Sequence, residues 1–117
     1  MNTVILIFIL LVAAEHLYIM FLETVATASD NTSRIFGIDK AQLERRPVST
    51  LLKNQGVYNG LLALLLIASA VRQDQLWGQL LLCCVVLAAL YGAVTSKPSI
   101  LFKQGGLAIL GLILSLI

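Results

Sequence analysis

One apolar segment near the start of the chain limits what this sequence can fold into. It runs from Thr3 to Ala26 and is interrupted only by Glu15, His16 and Glu23. A helix needs roughly 17–25 mostly apolar residues to cross the hydrocarbon core of a bilayer, so this segment is long enough to span it. A chain that contains such a segment is expected to fold in a membrane.

The composition supports the same conclusion. Of the 117 residues, 59% are apolar and 12% are charged, and the formal net charge is +2. Soluble domains contain about 45–50% apolar and about 25% charged residues, so a soluble protein of this length would lack the polar surface to cover its core. These values exclude a soluble enzyme, a nucleic-acid-binding protein and a disulfide-stapled secreted module. The expected partner is the lipid bilayer.

Three further apolar segments complete a four-helix pattern. Leu76–Val94 is long enough to span and carries no charge, whereas Leu61–Val71 and Leu107–Ile117 are too short alone. The two short segments reach spanning length only when polar residues at one end also enter the membrane. We therefore predict an all-α integral membrane four-helix bundle, a single transmembrane domain over residues 1–117. Its helices are expected at about 3–26, 51–71, 76–94 and 100–117.

Connection lengths and positive charges predict the topology. The short turns at Arg72–Gln75 and Thr95–Ser99 favour antiparallel neighbours, as in an up-down-up-down bundle. Seven basic residues flank the spans on one side, against only Arg72 on the other; they are Arg34, Lys40, Arg45, Arg46, Lys53, Lys97 and Lys103. Because Lys and Arg are concentrated in cytoplasmic loops, we predict a multi-pass protein of the cell (inner) membrane. Loops one and three are then cytoplasmic and both termini lie outside.

The first loop, at about 27–50, is the longest predicted extramembrane segment. Within it, Asp39 is placed to cap a short helix, with Gln42 at the third helical position and Pro47 after the end. A solvated loop is an equally good interpretation of the same residues.

Polar side chains from all four predicted helices fall at a similar depth in the cytoplasmic leaflet. Glu15 and His16 lie about 12 Å further in, near the midplane, since a helix rises ~1.5 Å per residue. We predict a polar cavity that opens towards the cytoplasm and serves ligand binding or proton relay. Its residues are Glu15, His16, Glu23, Asn54, Gln55, Tyr58, Asn59, Tyr91, Thr95 and Gln104.

The free-energy cost of a charge in the bilayer favours a functional interpretation of the acids, but a structural interpretation is also open. A charged residue at the bilayer centre costs roughly 2.5–3.5 kcal/mol, so acids in spans are candidates for function. Glu15 and His16 could instead form a structural hydrogen bond between helices, and the amides of the second helix could satisfy one another. Glu23, near the interface, could simply reach water or pair with Lys53. Trp77 is interpreted as an aromatic residue of the membrane interface.

Several short motifs are distributed along nearly the whole chain. They are Glu15-His16 with Leu22-Glu23, Asn54-Gln55-Gly56-Val57-Tyr58-Asn59-Gly60, Tyr91-Gly92 with Thr95, and Gln104-Gly105. In these motifs the chain resembles the small bacterial membrane proteins grouped as domain of unknown function 1304. The resemblance implies a four-helix membrane fold and implies no activity. That family has a proline after the last glutamine-glycine pair, where this chain has Gly106-Leu107-Ala108, so a local difference is expected there.

Three functions fit these observations. The first is binding or transport of a small molecule, lipid or cation in the polar cavity. In size, helix number and a first-helix glutamate, the chain is similar to the small multidrug resistance exporters. It differs from them in its charge asymmetry, its long first loop and His16. The second is an accessory or structural membrane subunit, and the third is a membrane-embedded acid/base enzyme that acts on a hydrophobic substrate.

No metal and no cofactor are predicted. One histidine and the adjacent Cys83 and Cys84 cannot supply the usual ligand sets, and these cysteines are interpreted as small core residues. A homodimer is a further expectation, because four short helices enclose little volume.

Overall fold

A computed structural model describes residues 1–117 and contains helices but no strands. The helices are α1 (Thr3–Thr24), α2 (Asp30–Phe36), α3 (Lys40–Leu43), α4 (Arg46–Val71), α5 (Gln75–Thr95) and α6 (Ser99–Leu116). Four of them, α1, α4, α5 and α6, are long and apolar enough to cross a membrane. The predicted all-α class and the number of membrane-capable helices are therefore confirmed.

The segment that connects α1 to α4 is more helical than predicted. Helix α2 begins after Ser29, whose hydroxyl accepts a hydrogen bond from the Thr32 backbone N–H at 3.1 Å. It ends at Phe36, and the following Gly37 has a φ of 66°, in the left-handed region that glycine adopts without strain. The segment therefore contains two short helices, α2 and α3, and is not a solvated loop throughout.

Helix α3 follows Asp39, as the capping pattern predicts, but the Asp39 side chain makes no capping hydrogen bond. Pro47 lies after the end of α3, as predicted. It is the second residue of α4, which begins at Arg46 rather than at about residue 51. Proline is tolerated in the first turn of a helix because the N–H that it lacks would have no partner inside the helix.

The chain forms two compact units, which we call the terminal unit (residues 1–15 and 64–117) and the central unit (residues 16–63). In the terminal unit, Gln79 near the start of α5 donates a hydrogen bond to Ser115 Oγ near the end of α6, at 3.0 Å. Its core includes the fully buried Ile9, Leu66 and Leu82. Helix α6 continues through Gly106, so the absence of the family's proline leaves an uninterrupted helix.

The central unit contains the end of α1, the short helices α2 and α3, and the first part of α4. The single hydroxyl hydrogen of the fully buried Thr32 is shared between the backbone oxygens of Ala26 at 2.7 Å and Leu22 at 3.2 Å. The last carbonyls of a helix have no partner within it, so Thr32 satisfies part of this need at the end of α1. The same turn of α1 carries Glu23.

The expectation that Cys83 and Cys84 are core residues is wrong. Both are free thiols with exposed side chains. The buried face of α5 is formed by Leu82, Val85 and Ala89. With 3.6 residues per turn, positions 83 and 84 point away from that face, and small apolar character alone did not reveal this.

Candidate functional site

The most buried acidic group of the central unit is Glu23, whose side chain is fully enclosed. Gln55 Nε2 donates to Glu23 Oε2 at 2.6 Å, and Asn59 Nδ2 donates to Glu23 Oε1 at 2.6 Å. Each carboxyl oxygen of the α1 glutamate thus accepts one amide N–H from α4. An ionised carboxylate offers about four lone-pair sites, so two such bonds leave acceptor capacity for a ligand.

The spacing of residues on α4 explains this geometry. Gln55 and Asn59 are four residues apart and therefore lie on one face of the helix, one above the other. Gly56 follows Gln55, and a Cβ added to it would lie 2.5 Å from Thr24 Cγ2 and 3.0 Å from Glu23 Cβ. A side chain at position 56 would force Thr24 to rotate or the helices to separate. The glycine brings α4 close enough to α1 for short amide side chains to reach the carboxyl group.

One turn later, Gly60 repeats this close approach. A Cβ added there would overlap Met20 Sδ. Thr24, which was not among the predicted site residues, donates its hydroxyl to the Met20 backbone oxygen at 2.6 Å. The Gly-x-x-x-Gly spacing at 56 and 60 was the available sequence signal, since small residues at this interval permit close helix packing.

Exposure differs sharply within the hydrogen-bonded group. Glu23 is buried and Asn59 is half-buried, whereas Gln55 is exposed. Gln55 therefore extends from the protein surface to Glu23 Oε2. Asn59 bonds to the other oxygen from a more enclosed position.

The other predicted residues of the central unit have different surroundings. Asn54 and Tyr58 are exposed, Tyr58 by 74%. They form their own i,i+4 pair, rotated about 100° around α4 from the pair that binds Glu23. His16 is buried two turns before Glu23 on α1.

Four predicted site residues belong to the terminal unit. Glu15 and Gln104 are half-buried, and Tyr91 is exposed. The Thr95 hydroxyl donates to the Tyr91 backbone oxygen at 2.8 Å, a bond within α5. The structure thus brings together Glu23, Gln55 and Asn59, and membership of the other residues in one polar cavity stays a prediction. No group of three or more His, Cys, Asp or Glu side chains is placed to hold a metal ion.

The structure is that of a small helical protein with four helices long and apolar enough to cross a membrane. Between two of these helices, a buried carboxyl group accepts hydrogen bonds from two side-chain amides. The chain belongs to the family described as protein of unknown function (DUF1304), whose model matches residues 10–116. This confirms the resemblance found in the motifs.

The comparisons also found a relative in Lactococcus lactis subsp. lactis (strain IL1403), named uncharacterized protein YpaA. The chain is similar to it, with 55% identity over 108 residues and coverage of 91% of each chain. No solved structure matches. Family membership supports the fold and leaves the chemistry to be argued from the site.

Proposed function

We propose that this protein binds or transports a small molecule, lipid or cation within the membrane, and that Glu23 is the group that binds its positive charge or hydrogen-bond donor. The observation that carries the proposal is the fully buried Glu23 carboxyl with one α4 amide on each oxygen. An ionisable group in a membrane span is costly, and apolar packing would join two helices without that cost. A role in binding gives a reason for its presence.

The arrangement suggests how a ligand reaches the acid. The exposed Gln55 side chain rotates away from Glu23 Oε2, and a cation or an N–H donor takes its place. Asn59 remains on Oε1 and keeps the carboxyl group oriented. The two helices need not separate for this exchange.

Glu23→Gln should remove cation binding and leave the fold intact. A glutamine at position 23 can still pair with both amides if the Gln55 amide flips to accept instead of donate, so mainly the charge is lost. A charge-assisted hydrogen bond contributes about 1.5–3 kcal/mol, which is tenfold or more in affinity. We would measure binding of methylammonium, tetraphenylphosphonium, sodium and potassium, and proton flux, in proteoliposomes.

Glu44→Gln is the matched control, because Glu44 is an exposed glutamate in the same unit. At least one of these probes should bind or move in wild type and in Glu44→Gln, and be at least about tenfold weaker in Glu23→Gln. Identical behaviour of the three proteins toward every probe would contradict the cation proposal.

A second candidate function is an accessory or structural membrane subunit. The observation that favours it is that Glu23 and its two amides already satisfy one another, as a hydrogen-bonded bridge between α1 and α4 would. In that case Glu23→Gln would retain the bridge and change no binding property, while substitutions that break the bridge would destabilise the protein or its complexes.

We also propose that the four long helices cross the inner membrane in alternating directions, with both termini outside. Within the central unit, Gly56 of α4 faces Thr24 of α1 and Gly60 faces Met20, so the two helices run in opposite directions there, which supports antiparallel packing. Within the terminal unit, the bond between Gln79 and Ser115 supports the same relation for α5 and α6. The excess of Lys and Arg beside loops one and three supports their cytoplasmic placement.

Single-cysteine labelling tests the sidedness. In a background with Cys83 and Cys84 replaced by serine, Gln73→Cys should react with a membrane-impermeant maleimide in spheroplasts. Ala41→Cys, in the α3 helix of the first connection, should react only after the membrane is opened. Both positions are exposed, so accessibility within the protein is matched. Reaction of Ala41→Cys but not Gln73→Cys in sealed spheroplasts would invert the proposed topology.

A further inference from the structure

A groove with apolar walls and two charged residues lies in the terminal unit, where α4 ends and α5 begins. It has a volume of about 440 Å³, which is within the range of small-molecule sites. Its apolar walls are Leu65 and Ala68 on α4, and Trp77 and Leu81 on α5. Leu65 and Trp77 are more than half exposed, whereas Leu81 is buried. The groove is therefore an apolar slot that is open along one side.

The turn at the end of this groove is held by several hydrogen bonds. The Asp74 N–H donates to Ser69 O at 2.9 Å and the Gln73 N–H to Ala70 O at 3.1 Å. This pattern commonly ends helices around a residue with positive φ, and Gln73 has φ of 55°. Glycine usually occupies such a position, yet here the turn is built with glutamine. The turn fixes the backbone on both sides of Gln73.

The fixed turn places two opposite charges at the groove. Arg72 and Asp74 both line it, one on each side of Gln73. Asp74 Oδ1 accepts the Trp77 backbone N–H at 3.2 Å and so caps α5. The other Asp74 oxygen retains acceptor capacity, and the Arg72 guanidinium is the side chain best suited to a phosphate.

These features together describe a complementary ligand. It carries a phosphate for Arg72, an ammonium with N–H donors for Asp74, and an apolar chain for the slot. We propose that this groove binds a phospholipid with a primary-amine headgroup, such as phosphatidylethanolamine, with one acyl chain along Leu65, Trp77 and Leu81. A phosphatidylglycerol headgroup would bring no cation to Asp74, and a choline headgroup would bring no N–H donor.

The competing explanation is that Trp77 is only an aromatic residue of the membrane interface. Such residues sit at the headgroup level of any bilayer. Under that explanation the lipid next to Trp77 would reflect the bulk composition, whatever the headgroup. A headgroup preference that is lost when Asp74 loses its charge is therefore the discriminating observation.

Trp77 itself reports occupancy, because it is the single tryptophan of the chain. We would reconstitute the full chain in vesicles of phosphatidylethanolamine and phosphatidylglycerol at equal mole fraction. Only one lipid would carry brominated acyl chains in each sample, and tryptophan fluorescence would be excited where tyrosine does not absorb. We expect the quenching to correspond to a relative affinity for phosphatidylethanolamine about threefold to tenfold above that for phosphatidylglycerol. When phosphatidylcholine replaces phosphatidylglycerol in the vesicles, the relative affinity for phosphatidylethanolamine should be similar.

Two substitutions and one control complete the experiment. Asp74→Asn keeps a side-chain oxygen that caps α5 and removes the charge. Arg72→Gln removes the phosphate-binding group. Asp74→Asn should reduce the preference to about onefold. Arg72→Gln should not reduce it, because both lipids carry the phosphate that Arg72 would bind, and Asp30→Asn, at an exposed position in α2, should leave it unchanged. Equal quenching by all lipids in wild type, or a preference that survives Asp74→Asn in a protein with native helix content, would overturn the proposal.

Discussion

Replacing Asn59 by leucine should destabilise the protein far more than the same replacement at Asn54. Asn59 donates to the fully buried Glu23 Oε1, and leucine cannot donate and would fill the space that water needs to replace it. An unsatisfied buried acceptor costs about 1–3 kcal/mol, and more when it is charged. We expect Asn59→Leu to lower the free energy of unfolding by at least this amount.

Asn54→Leu is the matched control, with the same residue change five positions earlier on the same helix. Asn54 is exposed, so its replacement should alter the free energy of unfolding by no more than about 0.5 kcal/mol. Unfolding by SDS in mixed micelles, followed by circular dichroism, gives both values. Equal losses for the two variants would show that the bond from Asn59 contributes little to holding α1 and α4 together.

The second large effect is expected at Gly56. A Cβ at this position would lie 2.5 Å from Thr24 Cγ2, and Thr24 is held by its own hydrogen bond to Met20 O. Gly56→Leu therefore forces Thr24 to rotate or the helices to separate, and separation would also break the bond from Gln55 to Glu23. Overpacking of this kind costs about 1–3 kcal/mol and occasionally more. We expect a loss near the upper end, about 3 kcal/mol, together with loss of any cation binding that depends on Glu23.

Gly106→Leu tests whether leucine in place of a helical glycine is harmful by itself. No heavy atom lies within 4 Å of a Cβ added at Gly106. Leucine forms helices better than glycine by roughly 1 kcal/mol, so this variant should be as stable as wild type or slightly more stable. The same unfolding assay applies. If the two variants, Gly56→Leu and Gly106→Leu, had the same free energy of unfolding, the close approach of α4 to α1 would not be a determinant of stability.

The positions of the long helices could be predicted because membrane-compatible length and apolar composition are local properties. The start of α4 at Arg46 could not, since hydropathy marks where a chain becomes apolar and not where its helix begins. Four polar or charged residues, Arg46, Ser49, Thr50 and Lys53, occupy the first two turns of α4. The proline at position 47 looked like a terminator but suits a first turn equally well.

The candidate site could be predicted in part, because the spacing of polar residues along a helix is also a local property. The i,i+4 spacing identified two polar pairs on α4, and the expected direction of the helices brought that end of α4 near Glu23. Which pair contacts Glu23 depends on the rotation of α4 about its axis. The leucines of α4 lie on several of its sides, so the sequence contains no single apolar stripe that predicts the rotation of the helix. The glycines at 56 and 60 decide it, because the helix turns its smallest residues toward α1.

The groove beside Trp77 was not predicted because its geometry depends on Gln73. A glutamine with φ of 55° has no sequence signal of the kind that a glycine would provide. Only the structure shows that Arg72 and Asp74 line the same apolar slot. Trp77, by contrast, is exposed, as suits an aromatic residue at an interface.

The exposure of Gln55 has a kinetic consequence. Rotamer changes of exposed side chains take picoseconds to nanoseconds, whereas collective movements of helices take microseconds to milliseconds. The exposed Gln55 bonds to Glu23 Oε2, and at Gly56 and Gly60 the space between α4 and α1 is too small for a further side chain. Access to the acid would therefore be faster than any rearrangement of the helices. Under the proposed function, a cation at Glu23 would exchange at a rate set by its own dehydration and arrival, nearly independent of the viscosity of the surrounding lipid.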